Sequence, residues 1–156
     1  MNILIALYRF VLGIKTIPAC DGSRFIWDQK AVFPHSIDNK FRELVLDKSP
    51  RKTPETNVQP KGMVVDTQFE QMPFFFGKNL KKLCFTQDQI LAFCEKNPSY
   101  FSPSGPMIYF LLHENFHFYA VRVSAHPTGL GVNVSQLFER ISVRPMGPPI
   151  FLMVPC

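Results

Sequence analysis

Several patterns that would fix a chemistry at once are missing from this chain. The four cysteines, Cys20, Cys84, Cys94 and Cys156, form no C-x-x-C and stand at no zinc-finger spacing, which excludes the thiolate zinc modules. Gly129-Leu-Gly131 lacks the remaining glycine of a phosphate-binding loop, so nucleotide recognition of that type is excluded too. Charged residues are only 19%, against about 25% in ordinary soluble domains. The apolar run Ile3–Ile14 is about 12 residues long, short of the ~20 that cross a bilayer. No internal repeat is present.

What the chain does have is aromatic bulk and proline. It carries 16 Phe and 14 Pro in 156 residues, with 46% hydrophobic residues overall. That length predicts one domain able to bury its own core. Each Phe ring removes roughly 150–250 Å² from water, so the interior is expected to be aromatic. The clustered prolines predict long loops and short elements. The net charge is +5, of which Lys48, Arg51, Lys52 and Lys61 against Glu55 place +3 within Lys48–Gly62. That segment also holds Pro50, Pro54 and Pro60 without periodicity. It is read as a loop or linker, either solvated or an arm toward anionic partners.

The cysteines are read as reduced, buried thiols, with Cys20–Cys84 or Cys94–Cys156 as the oxidised alternative. Ile17-Pro18-Ala19-Cys20 loosely resembles a lipoprotein cleavage box, but Arg9 interrupts the apolar run and no Lys or Arg precedes it. A cytoplasmic protein is therefore the expectation, with a lipoprotein-like or secreted one as the alternative.

In chain order, Asn2–Lys15 is apolar on both period-two faces and fits helix or strand equally. Arg24–Trp27 reads as a short strand. Ser36 as N-cap, Asp38 in the first turn and apolar Ile37, Phe41, Leu44 and Val45 predict a helix over Ser36–Leu46. Met63–Asp66 and Leu80–Phe85 read as strands, and Pro73–Phe76 as an apolar run closed by Gly77. Thr86-Gln-Asp-Gln89 is a capping box and starts a helix that Asn97-Pro98 ends. His126-Pro-Thr-Gly129 is a turn, Leu130–Val134 a strand, Ser135–Ser142 a short helix and Ile150–Val154 a final buried strand. The sum is an α+β domain, with short helices on a mixed or antiparallel sheet.

The longest apolar stretch, Met107–Ser124, contains His113-Glu114-x-x-His117. On a helix, two His four apart share one face and can bind one metal, with the Glu beside them able to deprotonate a metal-bound water. The stretch resembles the active-site helix of the zincin metallopeptidases, with uncharged Leu111, Asn115, Phe116, Phe118 and Tyr119 around the histidines. Ala120 and Val123 stand where the metzincin subgroup needs Gly and His. In gluzincins the third ligand is a downstream Glu in Glu-x-x-Ser, which Glu139-Arg-Ile-Ser142 spells. Phe138 and Val143 depart from the Asn and Asp expected beside it. The resemblance implies a Zn²⁺-dependent peptidase acting on peptides or proteins, with Glu114 as base and His113, His117 and Glu139 as ligands. His126 is the alternative third ligand.

The same stretch is rich in Ile, Tyr, Phe and Val, a strand composition. As a hairpin turning at Glu114-Asn115, it would pair His113 with Phe116 and Leu112 with His117, setting the two His on opposite faces. Three functions therefore stand open. One is the zinc hydrolase. Another is a binding module built on a buried hairpin at 107–124, meeting an unknown protein partner. The third is single-stranded nucleic-acid binding through Arg51, Lys52, Lys78, Lys81 and Lys82, with Phe75, Phe76 and Phe85 stacking bases.

Overall fold

The strongest helix signal in the chain marks the more deeply set of the two helices among the described residues. The structure is a computed structural model that describes residues 13–44, 51–63, 67–68, 79–103, 105–114, 116–136, 140–141 and 150–156. Two helices lie among them, α1 (Lys40–Leu44) and α2 (Gln87–Lys96). The strands are β1 (Lys15–Ile17), β2 (Ser36–Ile37), β3 (Thr56–Met63), β4 (Thr67–Gln68) and β5 (Cys84–Phe85). They continue with β6 (Met107–Glu114), β7 (His117–His126), β8 (Gly129–Gln136), β9 (Arg140–Ile141) and β10 (Ile150–Pro155). The fold is α+β.

The main sheet runs β1-β3-β10-β6-β7-β8-β2, and β5 joins β6 beyond the end of β10. β10 is antiparallel to β3 and parallel to β6, so the sheet is mixed. β4 and β9 form a separate antiparallel pair.

Along β6 and β7 the even residues of one and the odd residues of the other share a face. Ile108, Phe110, Leu112, Val121 and Val123 lie there under α1, α2 and the irregular segment that carries Ile26 and Phe33. Phe33, Phe41, Phe85, Phe93 and Phe110 are fully buried on this side. Each contributes about 2–3 kcal/mol by leaving water. The opposite face is divided. Its half around β10 is apolar, with Leu111, Ala120, Leu152 and Val154 packed against Leu80 and Leu83. Its half over β7 and β8 is polar.

α2 starts where expected. Thr86 Oγ1 accepts from the Gln89 amide at 3.2 Å, and Gln89 Oε1 accepts from the Thr86 amide at 2.9 Å. At the other end Asn97 Nδ2 and its backbone amide both donate to the Phe93 carbonyl. The final strand, the His126–Gly129 turn and the strand after it also form as expected.

Other segments depart from the sequence reading, each for a stated reason. Thr56–Met63, inside the proposed 48–62 loop or linker, is β3, held between β1 and β10. Pro60 is tolerated there because of its register. The Cys156 amide donates to the Asn57 carbonyl, so β3 bonds to β10 through Asn57 and every second residue. Pro60 then turns its nitrogen to the other side, beyond the reach of β1, where no ladder bond is lost. The helix expected over Ser36–Leu46 is replaced by β2 and the shorter α1. The backbone around Ser36 bonds to β8, and Asp38 Oδ1 accepts from the Lys40 amide instead.

Ile26–Asp28 is a 3-10 helix where Arg24–Trp27 reads as strand. Leu80–Leu83 is likewise 3-10, leaving only Cys84–Phe85 of the Leu80–Phe85 strand. The helix over Ser135–Ser142 is contradicted by Ser135 and Gln136 in β8 and by β9. All four thiols are free, so neither Cys20–Cys84 nor Cys94–Cys156 is bonded. Most of Asn2–Lys15, residues 64–66 and Pro73–Phe76 lie outside the described residues.

Candidate ligand-binding site

Met107–Ser124 is a hairpin. Glu114 pairs with His117, His113 with Phe118 and Leu112 with Tyr119, so the chain turns between Glu114 and His117. The turn lies one residue later than the Glu114-Asn115 turn read from sequence, which moves every cross-strand pair by two. A two-residue slip preserves faces, whereas a one-residue slip would exchange them. His113 therefore lies on the divided face and His117 on the helix-covered face.

The helix that the zincin resemblance requires is not the backbone of this stretch. His113 packs on Phe118 with ring centroids 4.6 Å apart, and burial holds its imidazole below the usual histidine range, with Lys81 and Arg51 adding to the effect. His117 is exposed, with its ring centroid 6.5 Å from that of Tyr119. Glu114 shares a face with His117, not with His113. Glu139 lies outside the described residues. Among the described residues no three His, Cys, Asp or Glu side chains converge as a metal set. Phe85, assigned to base stacking in the nucleic-acid reading, is fully buried; Phe75, Phe76 and Lys78 lie outside the described residues.

The side chains that do converge are on the polar half of the divided face. Arg122-Val-Ser124-Ala-His126 alternates along β7, so strand geometry aims Arg122, Ser124 and His126 the same way. Asn133 is directly opposite Arg122, and Gly131 is opposite both Ser124 and Ser36. With the loop before β6 as one wall, they line a cleft of about 420 Å³, within the range of small-molecule sites.

Two glycines make this arrangement possible. Gly129 has φ +123°, and a Cβ there would meet Pro34 Cγ at 2.3 Å. A Cβ on Gly131 would sit 2.9 Å from Ser36 Oγ, 3.1 Å from His35 Cδ2 and 3.3 Å from His126 Cδ2. In the room so left, the His35 and His126 rings stack with centroids 3.8 Å apart and 12° between planes.

Each imidazole also has a hydroxyl. Ser124 Oγ is 3.1 Å from His126 Nε2, and Thr128 Oγ1 is 2.6 Å from His35 Nδ1. Whichever member of a pair donates, one further donor remains. If the hydroxyl donates, the second ring nitrogen carries a hydrogen. If the ring donates, the hydroxyl hydrogen is left over.

Arg122 is the odd member of the group. Its Nε is buried and has no hydrogen-bond partner among the described residues. Among the described residues no carboxylate lines the cleft. A buried donor left unsatisfied costs about 1–3 kcal/mol, and more when charged.

Of these residues, the sequence reading singles out His126, as the alternative third metal ligand. Arg122 and Ser124 were missed, although the period-two spacing of Arg122, Ser124 and His126 in an apolar strand was the available signal. Among the described residues no helix is long and apolar enough to cross a membrane. Compared with known proteins, the chain matches no family model, no curated protein and no solved structure.

Proposed function

We propose that this protein is a binding module, and that it receives a small molecule in the cleft over β7 and β8. The observation that carries the reading is the Arg122 guanidinium in a cleft that supplies hydroxyl, imidazole and amide groups and, among the described residues, no carboxylate. A ligand acid that reaches the Arg122 guanidinium would gain a charge-assisted hydrogen bond, about twice as strong as a neutral one, and so bind with more than its contact area alone provides. The buried hairpin supplies rigidity. β7 is paired with β8 from Tyr119 to His126 and with β6 from His117 to Val123, so the side chains it presents need little ordering on binding.

The test is a small-molecule screen of the full chain by NMR with assigned backbone amides. A binder is expected to shift the amides of Arg122, Ser124, His126 and Asn133 together. A screen with no binders, or with all of them elsewhere on the surface, overturns the reading.

A further inference from the structure

We infer that the molecule this cleft takes is a small hydroxyl-bearing oxoanion, such as a sugar phosphate or a sugar acid, lying along β7 with its charged end at Arg122. The inference rests on the binding reading above and specifies the chemistry of its ligand.

Two features carry it. The first is sign. Arg122 is a permanent cation, and among the described residues the cleft lining contains no Asp or Glu to neutralise it. A guanidinium fork matches the paired oxygens of a carboxylate or phosphoryl group. The second is length. Arg122 and His126 are four residues apart on one strand face, which spans about 13 Å. That is too long for a single inorganic anion and suits a molecule with a body.

Between those ends, Ser124, Ser36 and Asn133 present groups that both donate and accept. Such groups match hydroxyls, which also do both. The two hydroxyl–imidazole pairs supply further donors at the far end. An apolar ligand would leave all of these unsatisfied.

The experiment is a titration series on the unmodified full chain, followed by calorimetry and by the cleft amides. The probes are glucose 6-phosphate, gluconate, glucose and inorganic phosphate. Either organic anion is expected to bind at least tenfold more tightly than glucose and than inorganic phosphate, and the difference from glucose should shrink at high salt. Glucose 6-phosphate alone marks the phosphoryl source, and gluconate alone the carboxylate source. Arg122→Gln should remove the advantage of the anion over glucose, while Ser124→Ala should weaken anion and glucose alike.

If glucose or inorganic phosphate binds as well as the organic anions, the inference is overturned. It is overturned equally if neutral molecules occupy the cleft while no anion does, in which case the binding reading survives. If nothing shifts the cleft amides, both fall. Because the series is read on the unmodified chain, misfolding of a variant does not rescue it.

Discussion

At the tip of the β6–β7 hairpin, Phe116 has φ +65° and is 96% exposed. Both are unfavourable for a phenylalanine. The left-handed region costs an L-residue about 1–2 kcal/mol relative to glycine, and an exposed ring gains nothing from burial. Phe116→Gly is therefore expected to raise stability by about 1 kcal/mol in urea denaturation, after allowing for the greater freedom of glycine in the unfolded chain. A loss of stability would mean that the ring makes a contact worth more than its strain.

The same residue explains why the turn was misplaced by one position. Asn favours tight turns and Phe does not, so turn chemistry alone points to Glu114-Asn115. What decides the register is the sheet. The observed pairing sets Phe110 against Val121 and Leu111 against Ala120 while β8 extends from β7 in step. The candidate site was half legible for a related reason. His113 and His117 attract notice because histidine is rare here, with 4 in the chain. Arg122 and Ser124 become a group only once β7 is known to be a strand and Asn133 is known to lie beside it.

Among the elements, α2 shows what local sequence can specify. The reciprocal bonds of Thr86 and Gln89 need only four consecutive residues, and the helix begins where they say. Its next contacts are not local. The Asp88 carboxylate, 5% exposed, accepts from the Gly22 amide at 2.9 Å and from Arg24 Nε at 2.8 Å. Arg24 reaches Glu95 as well, at the exposed end of the network.

Asp88→Ala would leave the buried Gly22 amide without its acceptor and the half-buried Arg24 guanidinium with Glu95 alone. The expected loss is about 2–3 kcal/mol, seen as a lower urea midpoint with an unchanged slope. Glu95→Ala should cost under about 0.5 kcal/mol, because that carboxylate is solvated. Equal losses would mean that the two acceptors are interchangeable. β3 is the opposite case to α2. Its Thr56, Val58, Pro60 and Lys61 carry no strong strand pattern, and only the edges offered by β1 and β10 make them a strand.

For the whole molecule, the free thiols report how burial is distributed. Cys156 is exposed, Cys20 and Cys84 are half-buried, and Cys94 is buried against the aromatic core. Burial pushes the Cys84 thiol up to about 12, and the Cys94 thiol upward as well. Thiolate is the reacting form. A disulfide reagent at pH 8 is therefore expected to modify Cys156 first. Cys84 should be strongly retarded, and Cys94 should react only as fast as the chain unfolds. Rapid, equal reaction of all four in native protein would contradict this packing. At this scale the class of fold was legible, because aromatic content, short periodic pieces and a capped helix need no long-range information. The strand order was not, since it depends on which distant edges meet.

β10 lies between β3 and β6 in the middle of the sheet, yet it follows every other strand of that sheet along the chain. During synthesis β6, β7 and β8 can pair as soon as they are made, for they are neighbours in sequence. β1 and β3 have no edge of β6 to join until residues 150–155 exist. A nascent chain stalled before that point would hold two incomplete sheet fragments, each with an open edge facing where β10 belongs. Those edges are the ones a chaperone, or a second nascent chain, would meet first.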